Sequence, residues 1–287
     1  FHRMNQILEI DEENLTMTVQ PGVITKAIDE VAVTKGLFYP PDPSSMKIST
    51  IGGNINENSG GLRGLKYGVT KDYILGLEVV LPNGDVIQTG GKLAKDVAGY
   101  DLTKLFVGSE GTLGIITEAV LKLIPLPESK QTILAIYDSM EKAANTVSKI
   151  IANKITPATL EFMDQPTIDA VEQYSHLGLP VEAEAILLIE QDGKETVVNE
   201  DMKLIEKICI DEGAIDVKVA SSDEEAEQLT EARRIALSAI ARLSPTTILE
   251  DATVPRSEIA NMVRAINDIA EKYDVKIATF GHAGDGN

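Results

Sequence analysis

The sequence predicts an α+β protein of two domains, and three observations along the chain support this prediction. Residues 1–127 combine short strand patterns with many glycines, whereas the residues that follow alternate strands with long amphipathic helices. Composition and periodicity change together at Pro125–Pro127. We therefore predict a glycine-rich first domain over residues 1–127 and, over residues 128–287, a second domain in which helices pack on a largely antiparallel sheet.

Short strands joined by turns account for most of the predicted first domain. Strand patterns occupy residues 8–11, 15–19, 73–81, 86–89 and 113–124, and one helical stripe contains Ile24, Ile28 and Val31. The stretch from Tyr39 to Tyr67 has almost no periodicity. We expect a long loop that binds a ligand there, because compact domains seldom keep a structureless loop of that length otherwise.

The second half of the chain shows clearer periodicity. Strand patterns lie at residues 132–137, 158–163, 185–190, 215–219, 246–253 and 275–280. Amphipathic stripes predict helices around residues 140–150, 195–212, 226–243 and 259–269. The last of these strands would carry His282 just beyond its end.

Composition excludes some classes of function. The chain has 45 acidic and 26 basic residues, a net charge of −19, so it lacks the basic footprint of a nucleic-acid binder. It contains no apolar run long enough for a transmembrane helix. The single Cys209 cannot form an internal disulfide, which fits a reducing compartment. Because the chain starts at Phe1 and ends at Asn287, directly after a glycine-rich turn, we expect it to be a fragment.

Two glycine-rich segments are candidates for ligand binding. Ser49–Gly61 contains four glycines and three asparagines, and backbone without side chains can approach an anion such as a diphosphate closely. Val107–Thr117 contains two flexible turns that lead into a strand. The first segment is neither a Walker loop nor a G-x-G-x-x-G motif that opens a helix after a strand. Taken singly, each segment is equally compatible with a loop of tight turns that binds nothing.

The order and spacing of several motifs are more specific than either segment. The motifs are Pro41-Asp42-Pro43-Ser44-Ser45, Thr50-Ile51-Gly52-Gly53-Asn54, Asn58-Ser59-Gly60-Gly61, Lys66-Tyr67-Gly68-Val69-Thr70-Lys71-Asp72-Tyr73 and Gly108-Ser109-Glu110-Gly111-Thr112-Leu113-Gly114-Ile115-Ile116-Thr117. This order resembles the vanillyl-alcohol-oxidase type of FAD domain, and within it the family of glycolate oxidase flavoprotein subunits and D-lactate and D-2-hydroxyglutarate dehydrogenases.

The resemblance implies that residues 1–127 are the second part of an FAD-binding domain. Family members carry a further glycine-rich diphosphate loop before the point where this chain begins, so we expect the N-terminal FAD subdomain to be missing here. The residues implied to bind or line the FAD site are Pro43, Thr50, Gly52, Gly53, Asn54, Asn58, Gly61, Tyr67, Gly68, Asp72, Gly114, Ile115 and Ile116.

Two side chains of the second half are candidate catalytic residues. His282 lies on the glycine-flanked turn Gly281-His282-Ala283-Gly284, where a histidine can accept a proton or bind a metal, although a lone histidine in a turn is usually without function. Arg233 could bind a substrate carboxylate, or it could belong to a solvated Glu-Arg helix face. The resemblance favours the functional role for both.

The resemblance also implies a divalent metal site of zinc, iron or manganese in the intact protein. His282 would be one ligand, and a second histidine would follow seven positions later, beyond the last residue of the sequence. Glu161, Asp164, Glu250 and Asp251 match the family as candidates for the pocket wall, without assigned chemistry. We expect residues 128–287 to form a truncated substrate domain.

The expected function is the FAD-dependent oxidation of a D-2-hydroxyacid, such as glycolate or D-lactate, with hydride transfer to flavin N5. One alternative is oxidation of another alcohol on the same fold, and another is a non-catalytic assembly subunit with a degenerate flavin site. The expected partners are the small hydroxyacid, an electron acceptor that is either an iron–sulfur subunit or quinone-linked, and a second copy in a homodimer. The expected location is cytoplasmic, with peripheral association at the inner face of the membrane through partners.

Overall fold

The computed structural model describes residues 1–287 and divides them into two compact units, Phe1–Pro127 and Glu128–Asn287. Each unit has its own buried apolar cluster. No helix in either unit is long and apolar enough to cross a membrane. The two units are described separately below.

An antiparallel five-stranded sheet with the strand order β1-β2-β6-β4-β5 forms the centre of the first unit. The short strands β3 and β7 pair separately. In chain order, the elements are β1 (Ile7–Asp11), β2 (Thr16–Val19), α1 (Thr25–Val33), β3 (Leu37–Phe38), α2 (Ile51–Glu57), α3 (Gly64–Tyr67), β4 (Ile74–Val80), β5 (Val86–Gly90), α4 (Leu102–Phe106), β6 (Ile115–Lys122) and β7 (Ile124–Pro125).

A second antiparallel sheet, with the order β11-β8-β10-β9-β12, carries the helices of the second unit. The predicted α+β class and the largely antiparallel sheet are confirmed. In chain order, the elements are β8 (Ser129–Tyr137), α5 (Met140–Ala152), β9 (Thr159–Asp164), α6 (Gln165–Ser175), β10 (Ala185–Gly193), α7 (Glu195–Asp211), β11 (Asp216–Val219), α8 (Asp223–Arg234), α9 (Ala236–Ile240), α10 (Ile259–Tyr273) and β12 (Phe280–Gly281).

The expectation of a structureless loop from Tyr39 to Tyr67 was wrong, because this stretch contains α2 and α3. Thr50 caps α2 by accepting a hydrogen bond from the amide of Gly53, and Ile51 and Ile55 pack into the core. Two glycines lower helix propensity, but burial of an apolar pair one turn apart outweighs that cost. The i, i+4 spacing of Ile51 and Ile55 is present in the sequence, but the two glycines argued against a helix.

One strand prediction in the second unit was wrong, and another predicted too long a strand. Residues 246–253 form no strand, and Ile248 and Leu249 are exposed, since β-branched residues make a strand only where a neighbouring strand pairs with them. Of the predicted strand over residues 275–280, only Phe280 pairs, within β12. The predicted helix over residues 226–243 is interrupted at Ile235, which separates α8 from α9.

Asp164, at the end of β9, joins three parts of the second unit. Its Oδ1 accepts the amide of Thr167 at 3.0 Å and caps α6, while its Oδ2 accepts the amide of Thr279 at 2.7 Å, directly before β12. Burial raises the pKa of the Asp164 carboxyl, and the hydrogen bonds act in the opposite direction. This one side chain therefore fixes the start of a helix and the approach of the chain to β12.

We predict that Asp164→Ala lowers the free energy of unfolding by about 2–4 kcal/mol, because it removes a helix cap and leaves a buried amide unpaired. Urea denaturation of the full-length protein measures the change. Asp169→Ala is the control, since Asp169 lies on the same helix and makes one exposed hydrogen bond, to Gln173. Equal losses in the two variants would contradict the prediction.

Candidate active site

Helix α2 carries several of the predicted cofactor residues, and most of them also have an internal structural role. A Cβ at Gly52 would lie 2.7 Å from the Cβ of Pro21, so only glycine fits there. Asn54 is buried and donates a 2.5 Å hydrogen bond to the hydroxyl of Thr25. Gly53 differs, because it is exposed and a Cβ there would meet nothing closer than its own cap residue, Thr50, at 3.5 Å. Gly53 therefore presents bare backbone at the surface.

The C-terminal end of α2 accepts hydrogen bonds from two other predicted cofactor segments, Gly108–Thr117 and Lys66–Tyr73. The amide of Gly108 donates to the carbonyl of Ile55 at 2.9 Å, and the amide of Gly111 donates to the side chain of Asn56 at 3.1 Å. Asn58, in the left-handed conformation with φ 50°, accepts the amide of Lys71 at 2.9 Å. The three segments that the sequence linked to one ligand therefore meet around one short helix.

The remaining turn residues have conformations or contacts that favour glycine. Gly68 has φ +82°, and the following amide of Val69 donates to the Asp72 carboxylate at 2.8 Å. A Cβ at Gly61 would lie 2.5 Å from the carbonyl oxygen of Asp42, so this contact brings Gly61 close to the motif that contains Pro43. Tyr67 accepts the Tyr73 hydroxyl at its carbonyl oxygen.

Gly114, Ile115 and Ile116 lead into and begin β6, and they differ in exposure. A Cβ at Gly114 would lie 2.6 Å from Cγ1 of Val79. Ile115 is exposed, whereas Ile116 packs in the core of the first unit. The side chain of Ile116 is therefore a core residue, and its backbone pairs with Val79 of β4.

The second unit brings together both predicted catalytic residues, and a third residue joins them. Nδ1 of His282 lies 2.7 Å from Oε1 of Glu161, and Nη2 of Arg233 lies 2.9 Å from Oε2 of the same carboxylate. The side chains of Glu161 and Arg233 are 1% and 6% exposed, whereas that of His282 is 26% exposed. The histidine is thus the member of this cluster that solvent or substrate reaches most easily.

Backbone hydrogen bonds fix the turn that carries His282. Gly281 pairs with Phe162 across β9, and the amide of Gly284 donates to the carbonyl of Leu160 at 3.2 Å. The amide of Gly286 returns to the carbonyl of His282 at 3.1 Å. Gly286 itself has φ +93°, a conformation that other residues rarely adopt.

The environment of His282 contains opposing influences on its pKa. Burial lowers the pKa of the imidazole, but the hydrogen bond to Glu161 and the negative charge of that carboxylate raise it by more. Arg233 lowers the pKa and Asp285 raises it. The net effect places the pKa of His282 above its ordinary value.

Arg233 is held in place by an ion pair and an aromatic ring. Its guanidinium carbon lies 4.7 Å from the centre of the Phe280 ring, and its Nη2 contacts Glu161 without the alignment of a full hydrogen bond. The Nε donor of Arg233 is buried and has no hydrogen-bond partner. An unpaired buried donor is costly, so a bound anion that accepts from it would be stabilised.

The sequence predicted Arg233 and His282 as site residues but gave no chemistry to Glu161. The available signal was a charged residue within the apolar strand sequence Leu160-Glu161-Phe162-Met163. Glu250 and Asp251 are exposed in the irregular segment before α10. No group of three or more His, Cys, Asp or Glu side chains is arranged to hold a metal, and the metal role of His282 stays a prediction.

Solved structures with the same fold are oxidoreductases and a synthase at low identity. An alkyldihydroxyacetonephosphate synthase matches 98% of this chain and 57% of its own, with a TM-score of 0.78 and 22% identity. A 4-ethylphenol oxidase from Gulosibacter chungangensis matches 97% of this chain and 61% of its own, with a TM-score of 0.74 and 17% identity. The fold is thus that of the vanillyl-alcohol-oxidase type of FAD-binding proteins, as the motifs predicted.

Family comparison narrows this class. Residues 126–287, more than half of the chain, match the family described as "FAD linked oxidases, C-terminal domain". Residues 1–90 match the family described as "FAD binding domain". The chain belongs to the FAD-linked oxidases.

Curated relatives align with all or nearly all of this chain, but the alignment covers only part of each relative's own length. A glycolate oxidase subunit GlcD of Bacillus subtilis is 72% identical over 287 residues, which are 100% of this chain and 61% of the relative. The subunit of the same name from Escherichia coli K12 is 42% identical over 99% of this chain and 57% of the relative. A D-lactate dehydrogenase of Anaerostipes hadrus is 37% identical over 99% of this chain and 61% of the relative. The chain thus spans about three fifths of the length of these proteins.

The residues of the first unit fit the polar part of FAD. A Cβ at exposed Gly53 or Gly60 would make only ordinary contacts, with Thr50 at 3.5 Å and Val69 at 3.6 Å, so packing within the protein does not require glycine there. Glycine at an exposed position permits the close approach of a diphosphate or ribityl chain. Asn56 and Asn58 fix the neighbouring turns by accepting the amides of Gly111 and Lys71. Gly52, which is buried, and Gly61, which is half-buried, allow the close packing beside this surface.

We predict that Glu161→Gln lowers the pKa of His282, because burial and Arg233 then act against a weaker opposing influence. An NMR titration of the His282 ring, assigned with a His282→Gln variant, measures the change. Glu190→Gln is the matched control, since Glu190 is a buried glutamate on the neighbouring strand β10. An unchanged pKa of His282 in Glu161→Gln would show that the carboxylate does not act on the imidazole.

Proposed function

We propose that the protein oxidises a D-2-hydroxyacid of the glycolate or D-lactate type to the corresponding 2-oxoacid. The observation that carries this proposal is the cluster in which Arg233, with an unpartnered buried donor, and His282 share the carboxylate of Glu161. A 2-hydroxyacid has a carboxylate and, one carbon away, a hydroxyl group. The cluster offers one group for each. The names of the relatives, glycolate oxidase subunit and D-lactate dehydrogenase, agree with this substrate class.

Arg233 would bind the substrate carboxylate, since a guanidinium presents several donors to one anion and Nε has no partner in the protein. His282 would accept the hydroxyl proton at Nε2, because Nδ1 is already engaged with Glu161. As the proton leaves oxygen, the carbonyl double bond forms and the C2 hydrogen departs with its electron pair. FAD, when bound, supplies the acceptor for that hydride.

The predicted cofactor residues would hold FAD in the first unit. Gly53 and the other residues of the Thr50–Gly61 segment would lie along the flavin and its diphosphate, and the backbone of Gly114–Ile116 would contact another part of the cofactor. The domains we propose are the second part of an FAD-binding domain over residues 1–127 and part of a substrate domain over residues 128–287. A metal at His282 in the intact protein is the alternative to proton acceptance by the imidazole, and it would polarise the same hydroxyl.

The electrons must leave the reduced cofactor after each turnover. The relatives named glycolate oxidase subunit are parts of an assembly by their names, and we propose an iron–sulfur subunit as the electron acceptor. A cytoplasmic position, peripheral at the membrane through that partner, and a homodimer are parts of the same proposal.

Anaerobic reduction of the flavin tests the proposed function directly. The full-length protein is purified, its visible spectrum is recorded, and glycolate or D-lactate is added without oxygen. We expect a flavin band that is bleached by a D-2-hydroxyacid and is left unchanged by the L-enantiomer of lactate. A flavin band that no 2-hydroxyacid bleaches would contradict the proposal, and the absence of flavin would favour an assembly role.

We predict that Arg233→Lys raises KM for the hydroxyacid about 10- to 100-fold, because lysine keeps the charge but loses the planar set of donors. Steady-state kinetics of the full-length protein measure this. Arg234→Lys, at the adjacent position on α8, is the control and should leave KM within a factor of about two. A KM that rises equally in both variants would remove Arg233 from the proposed substrate site.

A further inference from the structure

Glu161 contacts, with its two carboxylate oxygens, the two side chains that the proposed reaction uses. Oε1 is 2.7 Å from Nδ1 of His282, and Oε2 is 2.9 Å from Nη2 of Arg233. The three residues come from different elements, since Glu161 lies on β9, Arg233 near the end of α8 and His282 after β12. The carboxylate is therefore the point at which these elements meet.

The strand that carries Glu161 is fixed on both sides. Glu161 pairs with Leu188 of β10, and the next residue, Phe162, pairs with Gly281 of β12. The side chain of Glu161 is almost fully buried. A carboxylate on such a strand has little freedom to move, so it can serve as a fixed reference for its two partners.

Stability alone does not account for a carboxylate at this position. A buried ion pair costs desolvation energy, and apolar residues of similar size are often equally or more stable in its place. The ion pair with Arg233 also lacks the alignment of a full hydrogen bond. Apolar residues could therefore fill this part of the core with equal or greater stability, which favours a functional role for the charged cluster.

For His282, the contact with Glu161 determines which ring nitrogen carries the proton. The carboxylate can only accept, so it selects the neutral form with hydrogen on Nδ1. In that form Nε2 has a free lone pair, and it makes no hydrogen bond within the protein. A base or a metal ligand needs this lone pair.

For Arg233, the contact with Glu161 fixes the direction of the guanidinium. One edge faces the carboxylate through Nη2, one face lies over Phe280, and Nε remains without a partner. These two contacts restrict rotation of the guanidinium group. Nε, which has no hydrogen-bond partner in the protein, therefore keeps one orientation.

We propose that Glu161 is a positioning residue that sets the tautomer of His282 and the orientation of Arg233 at the same time. It does not touch the substrate. The proposal rests on the proposed function in that His282 and Arg233 are taken to meet a 2-hydroxyacid.

Glu161→Gln tests this role with almost no change in volume. An amide has one acceptor oxygen, whereas Nδ1–H and Arg233 are both donors. The charged Arg233 should take the oxygen, so the amide NH2 then faces Nδ1 and moves the ring proton to Nε2. The single-turnover rate of flavin reduction in the full-length protein should fall about 10- to 100-fold at saturating hydroxyacid.

The design includes controls and a double-mutant cycle. Glu190→Gln, the matched buried glutamate on β10, should retain the wild-type rate. In a His282→Gln background, adding Glu161→Gln should lower the limiting rate by less than about threefold, because residues that act as a unit are non-additive. If Glu161→Gln fails to fold, Glu161→Asp replaces it, since it keeps the charge but does not reach both partners.

Two outcomes would overturn the proposal. One is a fall in rate by the same factor with and without His282, and the other is an unchanged rate in a folded Glu161 variant. Nitrogen-15 NMR of the His282 ring supplies a readout independent of activity, since the Nδ1–H form should predominate among neutral rings only in wild type. If no hydroxyacid reduces the wild-type flavin, the proposed function fails, but the same NMR comparison still decides the role of Glu161.

Discussion

The buried carboxylate of Glu161 is the constraint on which the organisation of the second unit's site depends. A buried charge must be paired, and here the pairing requires the end of α8 and the turn after β12 to approach the middle of β9. The antiparallel register of β9 with β10 and β12 makes this approach reproducible. The chemistry of His282 and the geometry of Arg233 therefore follow from the same sheet that forms the core.

In the first unit, neutral side chains rather than charged ones fix the positions of the candidate cofactor residues. Asparagine side chains on and after α2 accept amides from two separate turns, so irregular backbone is fixed without the ladder of a sheet. Glycine performs two different tasks there. At Gly52 and Gly61 it permits close packing inside the protein, and at Gly53 it leaves the backbone open at the surface. A glycine-rich motif in a sequence therefore combines structural and binding positions that only contacts can separate.

Regular periodicity in the sequence was a good guide to the elements, and irregular stretches were not. The strands β8 and β10 and the helices α5, α7 and α10 were predicted because each buries one face or a continuous apolar run. Helix α2 was not predicted, since its stability comes from tertiary burial of Ile51 and Ile55. The strand predicted over residues 246–253 failed for the converse reason, because its β-branched residues have no strand to pair with.

By itself, the sequence determined the family of the chain, the α+β class and the identity of Arg233 and His282 as candidate site residues. These follow from motif order and local residue chemistry, which need no knowledge of distant contacts. Only the tertiary structure decided that Glu161, 121 positions before His282, joins both of them through one carboxylate. The physical reason is that a charge within an apolar strand has no local explanation, and its partners become visible only when the strands and helices are packed.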